Sequence, residues 1–358
     1  MASPRITTVE ELQRYLYAAM QLEHATIPPY LTALYSIHPG TNSDAFHVLR
    51  VVAVEEMLHL TLVANVLNAI GGTPDLTAPD FIPVYPAYLP DGEVDFAVSR
   101  ERFCRDSLDT FLKIERPREA PDEESRLVHR QHRGTKLITA AIGAEDMRFY
   151  SIGEFYREIE RGLRFLEKEK TAAGEELFVG DPARQILPQY YYSGGGEVVP
   201  VTDLHSACAA LRLIAEQGEG VGGRIYDVER ELAHYYRFKQ LLHGRYYQDG
   251  DEPDDPTGPP LDVEWDAVYP LKKNASLADY PEGSELHTAA LAFNAAYADF
   301  LELLTRAYTG SPELLIEGVA DMFRLRERMT ALMHNPIPGQ DGVNASPTFE
   351  LAPVAVGS

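Results

Sequence analysis

Two short stretches of this sequence place a glutamate three residues before a histidine. They are Glu56-Met57-Leu58-His59 and Glu231-Leu232-Ala233-His234, and only these two of the eleven histidines have that spacing. Both stretches lie in apolar runs with helical periodicity, and residues i and i+3 share one face of a helix. Each pair can therefore bind one metal ion through a carboxylate and an imidazole. Taken singly the pattern is weak, because a chain of this length contains roughly one Glu-x-x-His by chance.

Two further predicted helices each offer one carboxylate. A helix that begins after the capping box of Thr8 and Glu11 carries Glu23, and a helix over 152–168 carries Glu154. Di-metal carboxylate bundles use one glutamate from each of two helices and a Glu-x-x-His from each of two others. Four carboxylates nearly neutralise two divalent cations, and two imidazoles complete the shells. The sequence therefore predicts two iron ions, with manganese as an alternative, bound by Glu23, Glu56, His59, Glu154, Glu231 and His234.

Three neighbours of these residues need an interpretation of their own. Asp227 shares a helical face with His234 and is a candidate to accept a hydrogen bond from a ligand imidazole, although a plain surface aspartate fits nearly as well. Tyr30 follows Glu23 by seven residues and either lines the metal cavity or packs in the core. Glu55 has no partner in the pattern and is interpreted as a surface charge.

The predicted architecture is all-α. Four core helices, the last over about 224–242, are followed by two more over 285–308 and 312–334. Long excursions interrupt the bundle at 73–145 and 172–218. The first includes a partly helical segment over 126–143, and the second a β-hairpin over 186–201 with a glycine turn. One domain over 1–335, followed by a Pro- and Gly-rich tail over 336–358 that is packed on the surface or disordered, is the economical reading.

Several longer stretches resemble a known family. They are Leu22-Glu23-His24-Ala25-Thr26-Ile27-Pro28-Pro29-Tyr30-Leu31, VEEMLHL from Val54, SIGEFYREIERGL from Ser151, IAEQGEG from Ile214 and ELAHYYRF from Glu231. Together they are similar to the ferritin-like iminophenyl-pyruvate dimer synthase family, which includes the ferritin-like part of a violacein-pathway enzyme that couples indole imino acids. The resemblance implies a ferritin-like four-helix bundle and the same six ligands, with Glu56 and Glu231 bridging. That violacein-pathway enzyme is far longer than this chain, so its coupling activity does not carry over automatically.

Composition and charge exclude several classes of partner. The chain has 55 acidic and 32 basic residues and a net charge of −23, which would repel nucleic acid and anionic membrane surfaces. Its two cysteines, Cys104 and Cys208, are too few for a disulfide scaffold. No apolar run approaches the ~18 residues of a membrane span, and no apolar segment follows the first residues. We therefore expect a soluble cytoplasmic protein, and leave a homo-oligomer open.

The predicted site favours an O₂-dependent di-iron oxidoreductase that acts on a small organic substrate. The two excursions support this function, because a substrate pocket over the bundle needs additional chain whereas a bare ferroxidase does not. The resemblance implies a narrower activity, oxidative coupling of an amino-acid-derived imine in specialised metabolism. Two alternatives are a ferroxidase or iron-handling protein, for which the metal is the substrate, and a structural bundle with an empty site.

Overall fold

Two long consecutive helices, α1 (Val9–Ser36) and α2 (Ser43–Ala69), pack along each other and form the centre of the molecule. The computed structural model describes residues 6–89, 96–117, 151–192, 194–220, 224–227 and 230–351. The other α-helices in these ranges are α3 (Arg105–Ile114), α4 (Ile152–Ala173), α5 (Leu204–Glu219), α6 (His234–His243), α7 (Glu285–Tyr308) and α8 (Leu314–Met333). The predicted all-α architecture is confirmed. The helix expected over 126–143 lies outside the described residues.

Helix α1 begins as its sequence predicts and continues through two prolines. The Thr8 hydroxyl accepts from the Glu11 backbone at 3.1 Å, and the Glu11 carboxylate accepts from the Thr8 backbone at 3.0 Å. A proline has no N–H, so Pro29 leaves the carbonyl of Ala25 without its usual helical donor. The hydroxyl of Tyr85 donates to this carbonyl at 2.7 Å. A side chain from the first excursion thus stabilises the helix that carries Glu23.

The two additional C-terminal helices also follow the prediction. Helices α7 and α8 pack on each other, and they contact α2 and α1, respectively. The chain after α8 is more deeply packed than a surface tail, since Ala345, Ser346, Thr348 and Phe349 are all buried. The remainder of the predicted tail, residues 352–358, lies outside the described residues.

The β-hairpin predicted over 186–201 is wrong for the residues that the structure describes. The residues at its two ends bond to side chains rather than to each other, and Pro188–Tyr190 forms a short 3-10 helix. The Asn65 amide on α2 donates to the carbonyls of Ile186 and Val199 at 2.9 and 3.2 Å, and its oxygen accepts from the Ile186 backbone. The buried Gln185 side chain accepts from the Val201 backbone at 2.8 Å. Ile186 and Val199 are apolar, as in a strand, but the helix α2 takes the place of their expected partner strand.

The helix predicted to start near residue 224 begins ten residues later, at His234. The preceding segment folds back on itself instead. The Asp227 N–H donates to the Glu231 carbonyl at 2.8 Å, and Ala233 N–H donates to the Ile225 carbonyl at 3.2 Å. Arg230 has a φ of 66°, which no helix accommodates. Glu231 and His234 therefore do not share a helical face.

No helix among the described residues is both long enough and apolar enough to cross a membrane.

Candidate metal centre

Five buried side chains from four elements form two groups of potential metal ligands. Glu23 of α1 joins Glu56 and His59 of α2 in one group, and the second consists of Glu56, Glu115 and His234. Within each group the candidate ligand atoms lie within 4.8 Å of one another. Glu115 is the residue directly after α3, and His234 is the first residue of α6. Glu56 belongs to both groups, so its carboxylate is common to the two candidate ligand sets.

Both imidazoles direct Nδ1 towards this carboxylate cluster. His59 Nδ1 lies 3.3 Å from Glu23 Oε2 and 3.8 Å from Glu56 Oε1. His234 Nδ1 lies 3.0 Å from Glu56 Oε1 and 3.4 Å from Glu115 Oε2. The two rings are nearly parallel, with centroids 5.6 Å apart. The arrangement is a compact core of carboxylate oxygens between two imidazole nitrogens.

The other nitrogen of each imidazole bonds away from the cluster. His59 Nε2 lies 2.8 Å from Gln217 Oε1, and His234 Nε2 lies 2.7 Å from Glu55 Oε2. An amide oxygen and a carboxylate can only accept here, so each Nε2 carries the proton and donates it. This fixes the tautomer that leaves Nδ1 free to bind a metal, the usual function of outer hydrogen-bond partners at metal sites. Glu55 is buried, and its interpretation as a surface charge is wrong.

Each of the three carboxylates has one oxygen in the cluster and one in contact with a hydroxyl. Tyr156 donates to Oε1 of Glu23, and Tyr30 donates to Oε1 of Glu115. Oε2 of Glu56 lies 3.0 Å from the Thr26 hydroxyl oxygen. Both tyrosines are fully buried. These contacts hold each carboxylate so that its second oxygen faces the imidazoles.

Burial of three carboxylates together perturbs the protonation of Glu56 and of the neighbouring imidazoles. Burial, followed by the charges of Glu115 and Glu23, raises the pKa of Glu56 to about 8. Burial would lower the pKa of His234, but Glu115, Glu55 and Glu56 together raise it well above its ordinary value. The Thr26 hydroxyl has a single hydrogen, and it also lies 2.7 Å from the Glu23 carbonyl. A protonated Glu56 can donate from Oε2 to Thr26 while Thr26 donates to that carbonyl, so the proton of the metal-free state has a place on the outer oxygen of Glu56.

One orphaned atom fits the chemistry of a metal site. His234 Nδ1 is fully buried and, within the described part of the chain, makes no well-aligned hydrogen bond despite its two nearby carboxylate oxygens. A buried nitrogen without a hydrogen-bond partner is costly, and a metal ion would satisfy it. The donor set of carboxylate oxygens and neutral imidazoles is the one that iron and manganese favour. The residues present therefore fit the metal ions that the sequence predicts.

The structure brings together four of the six ligands predicted from the sequence, namely Glu23, Glu56, His59 and His234. Glu231 is largely exposed and forms an ion pair with Arg237 at 2.7 Å. Glu154 is half-buried in the first turn of α4, outside both groups. Of the two candidate outer residues, Tyr30 contacts a carboxylate of the site, whereas the Asp227 carboxylate accepts from the Glu231 backbone at 2.8 Å.

Sequence reasoning missed Glu115, although the sequence holds a signal for it. Glu115 follows Leu108 by seven residues and Phe111 by four, so it extends the apolar stripe of α3, and all three side chains are buried. A carboxylate on such a stripe must find a partner in the core. Here the partners are the Tyr30 hydroxyl and the His234 imidazole.

A polar cavity of about 420 Å³ lies on the outer side of the two imidazoles. Its walls include Glu55 and Gln217, the two residues that bond to His234 and His59. The rest of its lining is His47, Val51, Gly195, Gly196, Asp227, Glu231, Leu232 and Arg237. A small molecule in this cavity would be one side chain away from each ligand imidazole.

Comparison with known proteins identifies the family to which this helical bundle belongs. A family model described as ferritin-like matches residues 16–243, which is more than half of the chain and spans every residue of the two groups. The chain belongs to the ferritin-like family.

A curated relative and a solved structure agree with this assignment. Dichlorochromopyrrolate synthase from Lentzea aerocolonigenes is 29% identical over 325 residues, covering 84% of this chain. The match covers only 29% of that enzyme's own length. The crystal structure of a ferritin-like protein from Caulobacter vibrioides superimposes with a TM-score of 0.60 at 21% identity, covering 97% of this chain and all of the other. At that identity the structure supports the fold alone.

Proposed function

We propose that this protein is a di-metal carboxylate oxidoreductase that uses O₂ to oxidise a small organic substrate. The observation that carries the proposal is the pair of buried ligand groups sharing Glu56. A dinuclear carboxylate site uses carboxylates shared between two groups that each contain an imidazole, and Glu56 is such a carboxylate here. Iron is the proposed metal and manganese the alternative, since both favour these ligands.

The chain's own residues would hold the metals and control the protons around them. Glu23 and His59 are the proposed ligands on one side, Glu115 and His234 those on the other, and Glu56 lies between them. Bound iron would supply the electrons for O₂ chemistry. Tyr156, Tyr30 and Thr26 hold the outer carboxylate oxygens, and Gln217 and Glu55 keep the imidazole protons on Nε2. The buried setting excludes bulk water from the cluster.

The cavity supports an organic substrate rather than iron as the substrate. Its volume of about 420 Å³ lies within the range of small-molecule sites, and charged and polar groups converge on it. Glu55, Gln217 and Arg237 form its polar wall next to the imidazoles. A ferroxidase needs a path for ions but no cavity of this size.

A narrower proposal is oxidative coupling of an amino-acid-derived imine in specialised metabolism. Two facts support it: the family resemblance of several sequence stretches, and a relative whose name is dichlorochromopyrrolate synthase. The match covers less than a third of that enzyme's length, so the coupling activity is proposed on less support than the oxidase activity. We expect the protein to be cytoplasmic, with no nucleic acid or membrane partner.

The test is anaerobic titration with Fe(II), followed by exposure to O₂ while absorbance and oxygen consumption are recorded. We expect two irons per chain, rapid oxygen consumption and an absorbance change in wild type. Glu56→Ala, which removes the shared carboxylate, should lose both irons and the reaction. No oxygen consumption by the iron-loaded protein would refute the oxidase proposal. Growth of a mineral core on excess iron would favour the iron-handling alternative.

A further inference from the structure

Gln217 lies between a ligand imidazole and the wall of the cavity. Its Oε1 accepts from His59 Nε2 at 2.8 Å, and its Nε2 donates to the Gly195 carbonyl at 2.7 Å. It is held near the end of α5, within the stretch Glu216-Gln217-Gly218-Glu219-Gly220. This stretch contains none of the candidate metal ligands. The two hydrogen bonds of Gln217 nevertheless connect the stretch to the metal centre.

The glycine wall, residues 194–196, packs directly on α2. Gly195 has a φ of +75°, and a Cβ at this position would lie 2.5 Å from Glu55 Cγ and 3.0 Å from Glu55 Cα. A Cβ on Gly194 would lie 2.6 Å from Val54 Cγ1. Only glycine permits this approach. The Gln217 side chain links this wall to the metal centre, because it donates a hydrogen bond to the Gly195 carbonyl and accepts one from His59.

We infer that Gln217 is a positioning residue that couples the metal centre to the cavity. Its oxygen orients His59 with Nδ1 towards Glu23 and Glu56, and its amide group fixes the glycine wall. The amide group is planar and rigid, so a shift that breaks one of its hydrogen bonds also strains the other. Metal binding at His59 therefore orders the glycine wall, and displacement of the glycine wall disturbs His59. The inference rests on the metal centre of the proposed function, but not on O₂ chemistry or on any particular substrate.

Two substitutions separate the two hydrogen bonds. Gln217→Leu removes both of them. Gln217→Glu keeps an acceptor for His59 Nε2 but loses the donor to the Gly195 carbonyl. Loss of an outer partner of a ligand histidine weakens metal binding roughly 10–100-fold. We therefore expect Co(II), followed by its visible absorption, to bind roughly 10–100-fold more weakly to Gln217→Leu, and about as tightly to Gln217→Glu as to wild type.

Hydrogen exchange measures the coupling itself. We expect Co(II) to slow amide exchange in peptides covering residues 194–196 of the wild-type protein. In Gln217→Glu, Co(II) should bind but no longer slow this exchange. Gln185→Leu is the matched control, because Gln185 is a buried glutamine that bonds the same excursion through Val201 and Asn65 without touching a ligand. That variant should bind Co(II) like wild type.

The outcomes distinguish this inference from the proposed function. If wild type and Gln217→Leu bind Co(II) equally while Glu56→Ala does not bind it, the metal centre stands and the positioning function of Gln217 is refuted. If Co(II) protects the glycine wall in Gln217→Glu as it does in wild type, the coupling is refuted. If wild type itself does not bind Co(II), both proposals fail together. Metal binding and coupling without oxygen consumption would refute only the oxidase proposal.

Discussion

At the scale of single residues, the outer contacts of the ligands decide how the site behaves without metal. Glu56 lies between two other buried carboxylates, and only protonation of the cluster or a bound cation relieves their repulsion. Burial would lower the pKa of His59, but its hydrogen bond to Glu23 and the charge of Glu56 raise it overall. The metal-free cluster at neutral pH therefore favours a proton on Glu56, and the carboxylates raise the pKa of both imidazoles.

Metal binding should release these protons. Since the pKa of Glu56 is raised to about 8, a metal ion must displace a proton from it at pH 7 and below. Metal affinity should therefore increase as pH rises from 6 to 8, by about tenfold per pH unit for each proton released. Co(II) titrations at several pH values measure this slope. Glu56→Gln should show weaker binding with a shallower slope, and a flat wild-type profile would contradict the protonation described here.

The choice between Glu115 and Glu231 can be tested by one pair of substitutions. Glu115 is buried and faces His234, whereas Glu231 is largely exposed and pairs with Arg237. Exposed ion pairs contribute about 0–1 kcal/mol, so Glu231→Gln should leave stability and metal content nearly unchanged. Glu115→Gln should weaken Co(II) binding by about tenfold or more, because it replaces a charged ligand oxygen. A comparable loss in Glu231→Gln would instead place that carboxylate in the metal centre.

At the scale of elements, the sequence predicted what local patterns determine. The capping box at Thr8 and the apolar periodicity of α1 and α2 follow from spacing, and Glu23, Glu56 and His59 follow from spacing together with the ligand pattern of di-metal bundles. The late start of α6 was not predictable in this way. The sequence over 225–233 is helix-compatible, but the N–H groups of Asp227 and Ala233 donate to the carbonyls of Glu231 and Ile225, and this pairing overrides helix propensity. Glu115 follows the last residue of a short helix, and its place on the apolar stripe of α3 predicts burial but does not mark it as a metal ligand.

Asn65 shows how one α2 side chain replaces a predicted β-strand partner. Its amide makes three hydrogen bonds to the backbone of Ile186 and Val199. Asn65→Ala should lower the free energy of unfolding by about 1–3 kcal/mol for each buried backbone group left unpaired. Urea denaturation measures this loss, and proteolysis should become faster within 186–201. Asn335→Ala removes an exposed amide that bonds Ala331 and should have little effect. Equal losses in the two variants would refute the function assigned to Asn65.

At the scale of the whole molecule, one core joins the bundle to the C-terminal segment. The buried guanidinium of Arg100 donates to the carbonyls of Pro347, Thr348 and Ala275, and it lies 5.6 Å from the Phe349 ring centroid. Arg100 itself comes from the first excursion. The excursion, the chain before α7 and the chain after α8 therefore fold around one buried charge, and they close the bundle on the side of α1 that carries His24.

His24 makes the stability of this core depend on pH. Its ring is fully buried against Phe81 and bonds to the Tyr297 hydroxyl of α7, and burial lowers its pKa to about 3. In the unfolded chain the pKa is about 6.5. Between these values the unfolded state binds a proton that the folded state does not, so stability falls as the pH decreases.

Between pH 7 and pH 5 this single group should cost the metal-free protein about 2 kcal/mol. His24→Gln keeps an acceptor for Tyr297 but has no imidazole to protonate. Its free energy of unfolding, measured in urea with a chelator present, should therefore decrease less steeply with acid than that of wild type. His205→Gln, at an exposed histidine, serves as the control. Parallel slopes for wild type and His24→Gln would show that His24 is already protonated in the folded core.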